Sequence, residues 1–353
     1  MKRVGVAVAA LLCAGLAACG TAGGVPVPAS SSDRSSSSAD PVTPGTSDPV
    51  VGAASTSPAD PPPSSSSDLS SDSSSFGSDA DPLPPPFTDD ETMVWIPAGD
   101  HRVPGTLALP ADAAGRPVPA VLLLHGDLSS RDENGEMFAR LAAALAARGI
   151  ASLRIDFAGT GDSEEADLSL DYPNMVFDAT ASLDYLQQDP TGDGAIDPDK
   201  IAILGLSRGG GIGATVTGTV PGVAAFVSWS GAVYNGYDED PAGHEEARED
   251  GFVPVDFGTR IFKLGLNWFD TIEASHPLDD ISGYTGPILA VVGSDDQVVD
   301  PQVSTDFLQT VASADTTLHV VEGADHGFTA DQEVGDEAIR VTTDWLVSRL
   351  GAG

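Results

Sequence analysis

Basic residues and cysteine are both scarce in this chain. Lys and Arg number 16 against 53 Asp and Glu, giving a formal net charge of -37. Nucleic acid and anionic membrane surfaces repel such a polyanion, so neither is expected as an electrostatic partner. The two cysteines, Cys13 and Cys19, both lie at the start of the chain. A disulfide framework or a thiolate metal cluster farther along is therefore excluded. Long apolar runs are missing as well. The N-terminal run starts at Val4 after Lys2 and Arg3 and is over by Ala18, short of the ~20 residues of a spanning helix.

A basic start followed by a short apolar run is the pattern of a signal peptide. Its end, Leu16-Ala17-Ala18-Cys19, resembles the lipobox of bacterial lipoproteins. The resemblance implies a leader at 1–18 and Cys19 as the lipid-bearing first residue of the exported protein. Residues 19–86 are dominated by Ser, Pro, Asp and Gly, with runs such as Ser35 to Ser38, Ser64 to Ser67 and Pro84 to Pro86. So few large apolar side chains cannot offset the entropy of ordering, and the segment reads as a semi-extended tether.

From Phe87 to Gly353 compact apolar runs alternate with amphipathic segments, as expected for one large domain. Thr92 to Leu109 reads as an antiparallel pair. Pro119 to Leu124, Ile150 to Phe157, Ile201 to Leu204, Ala224 to Trp229, Ile288 to Val292 and Thr317 to Val321 read as buried strands. Met137 to Arg148, Met175 to Leu186, Gly210 to Val220, Val303 to Val311 and Glu337 to Leu350 read as helices. Strands and helices taking turns predict an α/β fold: a mostly parallel sheet with helices on both faces. Residues 231–286 break the alternation and read as an irregular insert.

Gly205-Leu206-Ser207-Arg208-Gly209 sits between a strand and a helix start. In that setting the GxSxG pattern marks a nucleophile on a sharp turn, and its glycines are required because the turn crowds the residues on either side of the serine. Further motifs surround it. His125-Gly126 follows a buried strand, and Asp156-Phe157-Ala158-Gly159-Thr160-Gly161-Asp162-Ser163 follows another. Gly293-Ser294-Asp295-Asp296-Gln297-Val298-Val299 and Gly323-Ala324-Asp325-His326-Gly327-Phe328 complete the set. With these motifs in this order, the sequence resembles the α/β-hydrolases, among them esterases and S9- or S33-like serine peptidases. The match runs from about Met93 to Leu350.

The resemblance implies a catalytic triad of Ser207, Asp296 and His326, in the family's chain order. Serine's hydroxyl is a weak nucleophile at neutral pH, so an imidazole must take its proton while a carboxylate fixes the imidazole tautomer. Of six histidines, His326 alone follows the last strand in a loop. His125 belongs to the oxyanion turn, His101 to the opening hairpin, His244 and His276 to the insert, and His319 to a strand. Asp295 competes with Asp296 for the acid role, since a shift of one residue exchanges them; the family spacing selects Asp296. Asp325 is expected to shape its own turn.

The resemblance also implies that the backbone amides of Asp127 and Arg208 form the oxyanion hole. The family often carries an apolar or aromatic residue at the position of Asp127. An acidic side chain there is unfavourable unless it turns outward. For Arg208 two readings stay open: a solvated charge, or a partner for Asp127 or for a substrate carboxylate.

Two other segments invite different chemistry. The glycines of 156–163 lack the GxGxxG spacing of a phosphate cradle and read as a structural turn. Asp189 to Asp197 resembles the start of a calcium loop, yet Lys200 stands where the bidentate acid belongs and Pro198 interrupts it, so an acidic surface turn is expected and no metal site. In the insert, Tyr234, Phe252, Phe257, Phe262, Trp268 and Phe269 form either a small core of a lid or the walls of an acyl pocket.

The expected activity is hydrolysis of a small acyl ester through an acyl-enzyme, with no cofactor. A serine exopeptidase or acyltransferase of the same fold, or a non-catalytic binding protein, are the alternatives. An exopeptidase would need a charged anchor for a peptide terminus, for which the insert offers Glu245, Glu246 and Glu249. The anchoring expectation is open to direct test. Expressed with its own leader in a bacterium, the chain should fractionate with membranes and incorporate labelled fatty acid, and Cys19→Ser should abolish both. Wild-type protein free in the medium and carrying no lipid would return 16–19 to an ordinary cleavage site.

Overall fold

The structure, a computed structural model, describes residues 82–88, 91–111, 113, 116–236, 240–257 and 260–351. Cys19, the leader and most of the tether lie outside the described residues. Among the described residues no helix is long and apolar enough to cross a membrane.

Ten strands form among the described residues: β1 (Glu91–Ala98), β2 (His101–Ala108), β3 (Val118–Leu124), β4 (Ala151–Ile155), β5 (Ile196–Leu206), β6 (Val223–Trp229), β7 (Phe252–Asp256), β8 (Ile261–Gly265), β9 (Ile288–Gly293) and β10 (Thr316–Val321). Eight of them make one sheet in the order β1-β2-β4-β3-β5-β6-β9-β10. The β1–β2 and β2–β4 pairs are antiparallel, and every pairing from β4 to β10 is parallel. The helices are α1 (Met137–Ala147), α2 (Tyr172–Gln187), α3 (Arg208–Thr219), α4 (Pro241–Asp250), α5 (Leu266–Glu273), α6 (Pro277–Ile281), α7 (Gln302–Thr310) and α8 (Gln332–Leu350).

Strand β3 explains why its sequence is apolar without alternation. Ala120, Leu122 and Leu124 point into a core shared with α2, α3 and α7, while Val121 and Leu123 point into a second core shared with α1 and α8. A strand covered on both faces has no wet side on which to place polar residues. Leu83, ahead of the first strand, already packs against the second core.

Because β3 has β4 on one side and β5 on the other, the chain winds outward in both directions from it. In an open parallel sheet this reversal leaves a crevice at the carboxyl ends of the two strands. The loops after β3 and β5 begin there, and they carry Asp127 and Ser207.

The acidic composition is put to structural use. Asp171, Asp240 and Asp331 cap α2, α4 and α8 by accepting the amides of Asn174, Gly243 and Val334 at 2.9, 3.1 and 3.0 Å. Elsewhere Asp189 accepts the Thr191 hydroxyl and the amides of Gly194 and Ile196. Burial pushes its carboxyl up, but these bonds outweigh burial and hold it below the ordinary carboxylate value. That carboxylate organises a turn. The glycine-rich 156–163 segment is likewise structural: Asp156 accepts the amides of Arg131 and Asp162 at 2.7 and 3.0 Å.

The insert corrects the expectation of an irregular segment. It folds into α4, an antiparallel β7–β8 hairpin, α5 and α6. Val253 and Val255 on β7 and Phe262 and Leu264 on β8 are buried, while Phe252, Pro254, Asp256, Ile261 and Lys263 are not. Each strand is only 5 residues long, too short for a two-residue period to stand out. Trp268 and Phe269, stacked edge to face at 4.9 Å, join the same core, which favours the lid-core reading of those aromatics.

Arg154 is the most heavily committed buried cation of the sheet. It is 1% exposed, donates twice to Glu91 at 2.9 and 2.8 Å, and donates through Nε to Asp132 at 2.8 Å. It fastens β1 and the loop after β3 to β4. Replacing it strands two carboxylates that retain some contact with water. Arg154→Met should therefore cost about 3 kcal/mol in urea unfolding, the low end for breaking a buried pair. An unchanged unfolding midpoint would contradict this role.

Candidate active site

Ser207 ends β5 and opens α3 with φ 54° and ψ -122°, a conformation costly for any side-chain-bearing residue. The surroundings hold it. Its amide donates to the Trp229 carbonyl at 3.0 Å, and its carbonyl accepts from Gly210 and Ala232 at 2.9 Å each. A Cβ on Gly205 would lie 2.0 Å from the Gly209 carbonyl oxygen, and one on Gly209 would lie 2.0 Å from that of Leu124. The two motif glycines are thus demanded by backbone touching backbone.

Asp296 and His326 come from the loops after β9 and β10, parallel neighbours of the same sheet. Asp296 Oδ2 lies 2.8 Å from His326 Nδ1, while Oδ1 accepts the amides of Val298 and Val299 at 2.8 and 2.9 Å. Burial pushes the Asp296 carboxyl up, but the histidine and the two amides outweigh it and keep the group below the ordinary carboxylate value. Ionised Asp296 accepts from Nδ1–H, which leaves the lone pair on Nε2. That nitrogen is buried and has no hydrogen-bond partner among the described residues.

The Asp295 side chain is exposed and meets the Ser294 hydroxyl of its own turn at 3.3 Å. The structure therefore pairs His326 with Asp296, the register that the family spacing selects. The two turns are laced together: Gly323 donates to Ser294 Oγ at 2.8 Å, and the Asp295 amide donates to the Ala324 carbonyl at 3.0 Å. Asp325 accepts the Thr329 amide and hydroxyl at 2.6 and 2.9 Å and so shapes the histidine loop.

The other histidines are engaged elsewhere. His101 meets buried Asp178 at 2.7 Å, His244 meets Asp270 at 2.8 Å, and His319 meets Glu337 at 2.8 Å. His125 Nε2 accepts the Phe157 amide at 3.2 Å, so its Nδ1 donates to the Gly126 carbonyl at 2.7 Å. His276 is exposed ahead of α6.

On the other flank of Ser207, the side chain of Asp127 departs from expectation. It is buried rather than turned outward, and Arg208 Nε donates to its Oδ2 at 3.1 Å. The guanidinium supplies the compensation that an outward turn would otherwise have supplied. Arg208 is accordingly no solvated charge. Its amide lies in the first turn of α3, where amides lack intrahelical acceptors and the helix dipole is positive.

Glu133 is a supporting residue that the sequence did not reveal. Its carboxylate accepts the Gly126 amide at 2.5 Å, the Ser129 hydroxyl at 2.8 Å and the Asn134 amide at 3.1 Å. It pins the turn that carries Asp127. Nothing in a polar loop containing Arg131, Asp132, Glu133 and Glu136 distinguishes this one acid by composition.

Asp296→Asn should keep the fold and lower turnover by about 10⁴-fold, because the amide favours the wrong imidazole tautomer, whereas Asp295→Asn should leave turnover within about twofold. The pH dependence of stability gives a second reading of the same group. A depressed folded pKa means that its contribution is fully present above the ordinary 3.8 and is lost as pH falls through the lower folded value. Asp296→Asn should remove that part of the acid slope in urea midpoints. Equal losses of turnover in the two variants would remove the distinction between them.

The family described as serine aminopeptidase, S33, matches residues 115–254 and 239–333. No curated protein matches the sequence. Among solved structures, Est1E from Butyrivibrio proteoclasticus with ferulic acid bound superposes with a TM-score of 0.60 at 18% identity, covering 73% of this chain and 99% of that one. A soluble variant of monoglyceride lipase from Saccharomyces cerevisiae, in complex with a substrate analogue, gives 0.61 at 16% identity over 76% and 99%. Dienelactone hydrolase from Anabaena variabilis gives 0.53 at 20% over 73% and 97%. The family match spans more than half of the chain and the element order agrees with it, so the protein belongs to the serine aminopeptidase S33 family of α/β-hydrolases.

Proposed function

We propose that the protein is an exported serine hydrolase that cleaves a carboxylic ester through an acyl-enzyme on Ser207. One observation carries the reading: a buried imidazole nitrogen, His326 Nε2, holds a lone pair with no partner among the described residues while Asp296 fixes the opposite nitrogen at 2.8 Å. A histidine in a merely structural role would use both nitrogens.

In this reading Ser207 Oγ attacks the ester carbonyl carbon as its proton passes to Nε2. The carbonyl π electrons move onto oxygen, and the amides of Asp127 and Arg208 receive that oxyanion. Collapse breaks the bond to the alkoxy oxygen, which takes the proton from His326 and leaves as alcohol. Water then attacks the acyl-serine by the same route, returning the proton to Ser207 and releasing the acid. These steps use only groups of this chain and water. Cys19, joined to lipid, would hold the domain at the outer face of a membrane on the 19–86 tether.

Peptide cleavage at an N-terminus is the second reading, favoured by the family's description. It calls for a carboxylate held to meet an ammonium group. Glu245 is exposed and donated to by Arg248 at 2.6 Å, and Glu249 is exposed. Glu246, the third acid, is half-buried on the same helix; with Glu245 already paired and Glu249 exposed, the ester is the better supported reading. The ferulic acid in Est1E and the substrate analogue in the monoglyceride lipase agree with an acyl substrate on this fold.

A fluorophosphonate probe should label the wild-type domain. Ser207→Ala should lose the label and drop ester turnover by several orders of magnitude. Hydrolysis of p-nitrophenyl acetate should exceed that of alanine p-nitroanilide. Label retained by Ser207→Ala would overturn the nucleophile, and faster anilide cleavage would transfer the assignment to the peptidase reading.

A further inference from the structure

We infer that the Asp127–Arg208 ion pair is a positioning clamp that sets the spacing of the two oxyanion-binding amides. The inference rests on the hydrolase reading above, because it concerns the residues that supply those amides. It adds a function for their side chains. The two amides sit on separate pieces of chain, one in the turn after β3 and one at the start of α3, and a hole built from two pieces works only when their separation is fixed. The pair joins these same two residues, Nε to Oδ2 at 3.1 Å, with side chains only 5% and 8% exposed.

The surrounding backbone shows how close the two pieces run. A Cβ on Gly126 would lie 3.2 Å from the Ser207 Cβ, and one on Gly209 would lie 2.5 Å from the His125 carbonyl oxygen. Strips 124–126 and 207–209 therefore touch, and Leu128, two residues past Gly126, stands in strained backbone at φ 57°. A strained turn relaxes unless something over-determines it. Glu133 holds its Gly126 end, and the guanidinium of Arg208 holds its Asp127 end. Arg is suited to this task because its planar Nε–H is directed, whereas a Lys ammonium is a point charge on a flexible stem. The guanidinium also neutralises a carboxylate that would otherwise oppose the charge developing on the substrate oxygen.

Two roles must be separated, positioning and mere neutralisation of buried charge. Asp127→Ala or Arg208→Met splits a buried ion pair, so either should lower the thermal midpoint as well as kcat. The double variant Asp127→Ala/Arg208→Met removes both members of the pair. It should regain the thermal midpoint yet keep a loss of about tenfold to hundredfold in kcat, the scale of a small misplacement of catalytic groups. KM for p-nitrophenyl acetate should stay within about twofold, and a trifluoromethyl ketone, which forms a tetrahedral adduct, should weaken by the same factor as kcat. Arg208→Lys keeps the charge without the directed Nε–H and should retain the fold with lowered kcat, so the test stands even where a single deletion fails to fold. Wild-type kcat in the double variant or in Arg208→Lys would overturn the clamp. A rise in KM at constant kcat would overturn it too, making Arg208 a grip on the substrate. Both results leave the hydrolase reading standing if Ser207→Ala is inactive; full turnover by Ser207→Ala would remove that reading and the clamp with it.

Discussion

The close passage of backbone against backbone at the end of β5 governs the rest of this site. With the Gly209 backbone pressed against the end of β3 and Gly205 pressed against Gly209, the chain has one way to leave the sheet, and Ser207 is driven to positive φ. Its amide and carbonyl are both spent on holding that turn, to Trp229 on one side and to Gly210 and Ala232 on the other. Ser207 is thereby held at the carboxyl end of β5, beside the crevice that the strand order creates. Everything else that concerns the serine is a matter of which loops reach the same edge.

Those loops are held mainly by carboxylates, which fits a chain with 53 acidic residues and 16 basic ones. Asp296, Asp325, Asp156 and Glu133 each accept backbone amides and so fix a turn beside the crevice. The few cations are placed where two carboxyl-bearing segments must be joined. Arg154 ties β4 to Glu91 and Asp132, Arg131 ties its loop to Asp156 and Asp162, and Arg208 ties α3 to Asp127. Scarcity of basic residues thus coincides with concentration of their use. Buried charges of this kind are weak sources of net stability but strict about geometry, which suits the loops around Ser207.

The insert is an independent layer of design. Its α4, hairpin and α5 bury Trp268, Phe269, Phe262 and Leu264 in continuity with the core against α2 and α3, and Asp167 fastens it from below by accepting from Arg260 and from the Lys263 amide. The aromatic side chains Phe262, Trp268 and Phe269 are consumed in holding the insert together.

The alternation of strand and helix, the doubly covered strands and the GxSxG turn were legible in the sequence because each is a local rule, and the Asp and His turns because they resemble those of a known family. Periodicity reports burial, and glycine reports crowding within a few residues. What the sequence left open was decided by contacts between distant segments. Asp295 and Asp296 are chemically identical neighbours, and only the packing of the β9 turn against the β10 turn aims one of them at His326. Asp127 looked unfavourable on its own, since a carboxylate beside an oxyanion is opposed by charge; the guanidinium that relieves it lies 81 positions away. Glu133 was invisible for the same reason, as its amide partner Gly126 is chosen by the fold of the loop and not by any residue type. Composition and spacing fix which chemistry the chain carries, whereas the partner of each buried charge is set by three-dimensional proximity, which spacing along the chain does not encode.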